Sequence, residues 1–247
     1  MSHPLPWLAP QQPFPPVEAT WGADDPIPGL LAAGGQLDAE HLRAAYSQGI
    51  FPWFSEGQPT LWWSPDPRMV LQTRELRLHR SLRKSLVRFR QDPECEIRID
   101  SAFTSVIGHC ARTPRQGQDG TWIVQAIIDA YVQLHEQGLA HSVETWVGGR
   151  LVGGLYCVAL GRAVFGESMF AHASDASKIA LAALVALCRA QDAPQIDCQQ
   201  ATPHLASLGA REMPRAEFLR RMKQQSRRPA MQWQFDPVYW DELLSRP

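Results

Sequence analysis

Residues 140–170 read AHSVETWVGGRLVGGLYCVALGRAVFGESMF. The stretch falls into three runs, AHSVETWV, RLVGGLYCVAL and AVFGESMF, separated by Gly-Gly and Gly-Arg. Valine and aromatic residues suit a pleated surface, and short glycine turns suit tight hairpins, so the spacing predicts three consecutive strands in an antiparallel meander. The next segment, SDASKIALAALVALCRAQ, is apolar nearly all round and predicts a deeply buried helix from about Ser174. QIDCQ, at 195–199, is one more short strand. The order strand-strand-strand-helix-strand gives an α+β (mixed α/β) domain around a central, mostly antiparallel sheet.

Outward from this centre, the N-terminal 28 residues hold eight of the twenty prolines, which predicts an extended, irregular arm. In QLDAEHLRAAYSQG, Asp38 can cap a helix over 39–48, with Leu37 and Leu42 as a hydrophobic staple and Gly49 as the stop. GIFPWFSEGQPTLWWSPDPR packs Trp53, Trp62 and Trp63 between turn residues, and SPDP marks the exit from a small N-terminal unit, 1–66, before a larger one, 67–247. LRLHRSLRKSLVRFR puts Leu78, Leu82, Leu86 and Phe89 on one helical face, with Arg77, Arg80, Lys84 and Arg88 opposite and Arg83 beside them. SAFTSVIGHCA reads as a helix capped by Ser101. TWIVQAIIDAYVQLHEQG reads as a helix capped by Thr121 and stopped at Gly138. PRAEFLRRMKQQSRR is a basic helix, and the chain ends in a Trp- and Pro-rich tail.

Composition narrows the function classes. A net charge of -1 over 247 residues argues against a protein that coats nucleic acid over its whole surface, although a local basic patch is compatible with it. Cys95, Cys110, Cys157, Cys188 and Cys198 form no C-x-x-C pair, which argues against zinc or dithiol chemistry and fits a reducing cytosol. No basic start followed by an apolar run opens the chain, and the longest apolar run is far short of the roughly 20 residues that span a bilayer. A cytoplasmic, monomeric protein without metal is the expectation.

Polar residues inside the strands carry the functional signal. Side chains alternate across a strand, so Asp197 and Gln199 share one face of QIDCQ while Ile196 and Cys198 share the other. The same alternation places Phe165, Glu167 and Met169 together. A buried carboxylate is costly unless paired or hydrogen-bonded. Two acids and an amide among apolar neighbours therefore fit either a lined pocket or a network that joins two strands, and the pattern leaves both open. Cys198 with His204 as its base is a rival nucleophile, disfavoured because the thiol faces away from Asp197. His135, His141 and His172 show no ligand spacing and read as structural or exposed.

GLLAAGGQLDAEHLRAAYSQGIFPWFS, LWWSPDPR, GTWI, HSVETW, LVGGLYCVALG, FGESMF, ASDASK and IDCQQATPHLASLGAREMPR follow one another in this order. Together they closely resemble the bacterial leucyl/phenylalanyl-tRNA–protein transferases, over about residues 14–220. The resemblance implies an acetyltransferase-like (GNAT) catalytic domain that uses no acetyl-CoA, no other cofactor and no metal. It implies transfer of Leu or Phe, with Met as a further candidate, from aminoacyl-tRNA to the N-terminal Lys or Arg of an acceptor protein, which marks the acceptor for N-degron proteolysis. Carried over by position, Asp197, Gln199 and Glu167 are the catalytic set. Trp53, Trp122 and Tyr46 border the tRNA 3′-adenosine and acceptor. Leu155, Met169, Leu181, Leu184 and Ile196 shape the aminoacyl pocket. Arg80, Arg83, Lys84 and Arg88 would meet acceptor-stem phosphates, contacts that give affinity more than sequence readout.

The chemistry implied is amine attack on an already activated ester. An α-amine has a pKa of about 7.7–8.0, so part of it is nucleophilic at neutral pH and positioning supplies much of the acceleration. The competing readings are an acyl-CoA acyltransferase, a transferase of the cell-wall-bridge kind and a non-catalytic tRNA-binding module. The first is disfavoured because the turn before the main helix, FAHASDASK, contains no glycine for pyrophosphate.

Overall fold

A computed structural model describes residues 4–113 and 123–245. In chain order the strands are β1 (Trp7–Leu8), β2 (Leu30–Gly34), β3 (Phe51–Pro52), β4 (Leu61–Trp63), β5 (Arg68–Gln72), β6 (Cys95–Ile99), β7 (Ala140–Val147), β8 (Arg150–Leu160), β9 (Ala163–Ala171), β10 (Gln195–Gln199) and β11 (Arg211–Met213). The helices are α1 (Ala39–Tyr46), α2 (Arg80–Gln91), α3 (Phe103–Arg112), α4 (Gln125–Glu136), α5 (Ala176–Ala190), α6 (Pro203–Ser207), α7 (Arg215–Ser226) and α8 (Tyr239–Ser245).

Two sheets form. A small one has the order β1-β2-β4-β3, and a seven-stranded one the order β11-β5-β10-β9-β8-β7-β6. The meander expected from 140–170 is present as β7-β8-β9, all antiparallel. Gly148 and Gly149 turn it with φ of 55° and 69°, the left-handed pair that a two-residue hairpin needs. β10 is parallel to β9 and antiparallel to β5, so the sheet is mixed and the α+β expectation holds. Alternate residues feed two cores. Tyr156, Val158, Phe165 and Val70 face α1, α3, α4, α7 and the small sheet. Leu155, Cys157, Val164, Met69 and Leu71 face α2, α5 and α8. Gly153 lets α5 lie against β8, since a Cβ there would stand 2.5 Å from Ala176 Cβ.

Several local expectations are corrected. The Trp-rich segment is not loop-like: β3 pairs with β4, β4 pairs with β2, and Trp62 is fully buried with its Nε1 donating to Gly34 O at 2.8 Å. Residues 68–72 form β5, the strand that carries Arg68 into the core. Asp38 does cap α1, accepting from His41 N at 2.7 Å, but the helix ends at Tyr46. The cap of α3 comes from another strand, because Glu144 on β7 accepts from Ala102 N at 2.8 Å and from Ser101 Oγ. Thr121, expected to cap α4, lies outside the described residues, and the N-cap there is Val124. The tail is ordered around α8, which places Trp240 and Leu243 in the core beside α5 and α2.

Candidate functional site

β9 and β10 pair at only two positions, Ile196 with Val164 and Asp197 with Phe165. Both strands then deform. The β9–β8 register shifts around Glu167, so that Gly166 faces Cys157 and Ser168 faces Tyr156. The β10–β5 register shifts at Cys198, and Gln199 takes φ 63°, which only a specific restraint makes worthwhile for a residue with a side chain. These bulges explain one correction. Phe165 and Glu167 face the core that holds Tyr46 and Tyr131, but Met169 packs on the opposite face with Leu155. The extra residue at Glu167 reverses the alternation beyond it.

Beyond the last backbone pair, side chains join the strands. Gln199 Nε2 donates to Glu167 Oε1 at 2.8 Å. Tyr131 Oη donates to Glu167 Oε2 at 3.2 Å, and Tyr131 and Tyr46 share a hydroxyl–hydroxyl bond of 2.5 Å. Behind Gln199, Asp197 Oδ1 accepts from the Gln199 backbone N at 2.8 Å. Both Asp197 oxygens also meet Arg68: Nε to Oδ1 at 2.8 Å and Nη2 to Oδ2 at 2.6 Å, with neither side chain exposed. Asp197 and Gln199 thus lie on one side of the sheet as expected, but they do so across a bulge and with Asp197 sealed beneath.

Burial pushes the Glu167 carboxyl up to about 7, aided by the Asp197 charge and opposed by hydrogen bonds from Tyr46, Gln199 and Tyr131. Burial likewise raises the Tyr46 and Tyr131 phenols well above their ordinary value, the Glu167 charge adding to it. The Cys198 thiol is pushed up to about 12, mainly by burial, and packs on the Ile196 face, so the environment works against a thiolate.

The apolar set is brought together, but across the sheet. Leu155, Leu181, Leu184 and Ile196 share the core around α5, none more than 5% exposed, and Met169 is the one of the five that keeps accessible surface. Trp53 is half-buried, edge-on to Trp63 with centroids 5.3 Å apart. Trp122 lies outside the described residues. On α2, Arg80, Lys84 and Arg88 are exposed, while Arg83 is half-buried and donates to Leu244 O at 2.7 Å. A cleft of about 400 Å³ at the start of α2 is lined by Arg74, Arg77, His79, Arg83 and Arg189 with leucines as walls. His141 is buried between Asp100 and the Trp233 ring, and His135 stacks on Phe103, both structural placements.

Two site members escaped the sequence reading. Arg68 sits in RMVLQ, whose apolar run after SPDP is the available signal for a strand. Tyr131 lies on the buried α4 stripe with Ile127 and Leu134, a spacing that marks it as core and conceals its hydroxyl.

The chain matches the family model described as leucyl/phenylalanyl-tRNA protein transferase over residues 70–223, and that of the family's N-terminal domain over 35–66. It is 64% identical over 245 residues to the leucyl/phenylalanyl-tRNA--protein transferase of Polaromonas sp., covering 99% of this chain and 96% of that one. It is 62% identical to the protein of the same name from Albidiferax ferrireducens, covering 98% and 95%. Among solved structures, a GCN5-related N-acetyltransferase from Kribbella flavida is similar with a TM-score of 0.34 at 10% identity, covering 70% of this chain and 60% of that one, a likeness that carries no argument by itself.

Proposed function

Since this chain belongs to the leucyl/phenylalanyl-tRNA protein transferase family, we propose that it joins leucine or phenylalanine from aminoacyl-tRNA to the amino terminus of an acceptor protein at the open end of β9 and β10. An amide bond forms between the acceptor α-nitrogen and the aminoacyl carbonyl carbon. The ester C–O bond to the tRNA 3′-ribose breaks, and the freed hydroxyl takes a proton. The acceptor ammonium must lose one proton before attack and the amine another during it.

The observation that carries this reading is the Gln199–Glu167 bridge beyond the last β9–β10 backbone pair. Because the Gln199 amide nitrogen is turned toward Glu167, to which it gives one of its two N–H donors, its carbonyl oxygen is left to accept from the incoming amine. Glu167, with a pKa of about 7, matches an α-ammonium of about 7.7–8.0 closely enough to exchange a proton with it. Asp197 orients Gln199 through its backbone N–H. Of the five apolar candidates Met169, which keeps accessible surface, is the one to meet the aminoacyl side chain, with Leu155, Leu181, Leu184 and Ile196 packed behind it. Trp53 borders the adenosine and acceptor, Tyr46 supports Glu167 from the buried side through Tyr131, and Arg80, Lys84 and Arg88, exposed on α2, meet acceptor-stem phosphates. Acceptors begin with Lys or Arg, methionine is a third donor, and the products enter N-degron proteolysis.

The ester is already activated, so this chemistry calls for no cofactor. Among the described residues no helix is long and apolar enough to cross a membrane. We place the chain in the cytoplasm beside its tRNA, as a monomer of two units, 1–66 and 67–247.

The test is a transfer assay with labelled Leu-tRNA or Phe-tRNA and a protein starting with Arg. Label in the protein supports the reading. Binding of tRNA without transfer, or turnover of acetyl-CoA instead, overturns it.

A further inference from the structure

We infer that Arg68 is a positioning residue for aminoacyl transfer: by occupying both carboxylate oxygens of Asp197 it holds the left-handed turn at Gln199 that presents the Gln199 amide to Glu167. The inference rests on the reading that Gln199 and Glu167 meet the reacting groups.

The guanidinium is fully enclosed. It lies between the rings of Phe51 and Phe218, with its central carbon 4.8 and 4.7 Å from their centroids. Nη1 donates to Gly49 O at 3.1 Å. Gly49 has φ 73°, and a Cβ there would stand 2.4 Å from Leu219 Cδ2, so the carbonyl that receives Arg68 is held in a place where a side chain would clash. Nε and Nη2 form a fork on Asp197. Such planar, two-pronged recognition fixes orientation as well as distance, which a lysine cannot reproduce.

The consequence reaches the reacting groups through a short covalent path. Asp197 Oδ1 also receives Gln199 N, and Gln199 adopts φ 63°. Rotation of the Asp197 carboxylate would release that backbone bond and with it the reason for the left-handed turn. Asp197 has no exposed side-chain surface, and each of its oxygens faces Arg68, so an incoming amine meets Gln199 and Glu167 rather than Asp197. Asp197 is accordingly a positioning residue too. Phe51 and Gly49 belong to the N-terminal segment and Phe218 to α7, so Arg68 sets the catalytic strands against both.

Arg68→Lys and the double variant Arg68→Met/Asp197→Leu test this. The second leaves no unpaired buried charge, and so guards against simple misfolding. The readouts are single-turnover transfer from saturating Phe-tRNA, KM for Phe-tRNA, the pH–rate profile and the thermal midpoint. Arg68→Lys should lower the rate about 10²-fold, the scale of a small misplacement of a reacting group. KM and the apparent pKa of the profile should stay near wild type. The double variant should stay folded and be equally slow. Wild-type rates in either folded variant overturn the inference, as do losses that track the thermal midpoint and KM together. A displaced pKa in Arg68→Lys also overturns it, because Asp197 would then be the proton acceptor. Gln199→Ala in the same assay separates the premise: wild-type turnover there removes the site reading whatever Arg68 does.

Discussion

Glu167 offers a test in which stability reports on the site without any substrate. Its carboxyl has an ordinary value of 4.5 and is raised to about 7 in the fold, chiefly by burial. For a folded value above the unfolded one, the stability contribution is complete below pH 4.5 and is lost as pH rises through about 7. At about 1.4 kcal/mol per pH unit the full effect is about 3.5 kcal/mol, and partial exposure of the side chain screens it to roughly 2 kcal/mol. Glu167→Gln removes the titration. It also disturbs the bonds from Gln199 and Tyr131, a cost that applies at every pH. The informative quantity is therefore the variant-minus-wild-type difference in thermal midpoint, followed from pH 4.5 to 8. For a chain of this length about 1 kcal/mol moves the midpoint by roughly 2–4 °C, so the difference should rise in the variant's favour by roughly 4–8 °C across that range. The variant should also lose transfer activity. Parallel curves for the two proteins over the whole range would refute the raised carboxyl, and with it the role of Glu167 as proton acceptor.

Cys198→Ala should retain most transfer activity in the labelled Phe-tRNA assay, since the thiol packs on the apolar face with its pKa pushed up to about 12; abolished activity would restore a thiol mechanism. Arg80→Glu with Lys84→Glu should weaken Phe-tRNA binding and flatten the slope of log affinity against log salt by about 2, one for each phosphate no longer neutralised; an unchanged slope removes α2 from the interface. Glu144→Ala strands four donors, Ser101 Oγ and Ala102 N at the start of α3 and Ser142 Oγ and Trp146 Nε1 on β7. Of the four only Ser142 is fully buried, so at about 1–3 kcal/mol for one buried donor left unpaired the variant should lose roughly 2 kcal/mol of stability in urea denaturation, and unchanged stability would contradict the cap.

Local order was readable wherever a short-range physical cause acts alone. Val and aromatic runs between glycine turns specified the β7-β8-β9 meander, Asp38 specified the start of α1, and the all-apolar run of α5 specified a buried helix. Of the candidate site, Asp197, Gln199 and Glu167 were legible as polar residues where a plain core strand would be apolar. The two register shifts were not, because a bulge depends on what the neighbouring strand offers rather than on the residues it contains. One such shift placed Met169 on the face opposite Phe165 and Glu167.

By itself, then, the sequence determined the β7-β8-β9 meander, the strand at 195–199 and the main amphipathic and buried helices, and which polar groups must be buried in need of partners. Only the tertiary structure decided who those partners are: Arg68 comes to Asp197 from 129 positions away, and Tyr131 to Glu167 from 36. Patterning acts over a turn or a strand pair, whereas the pairing of buried charges is settled when distant elements pack and each desolvated group must find its complement.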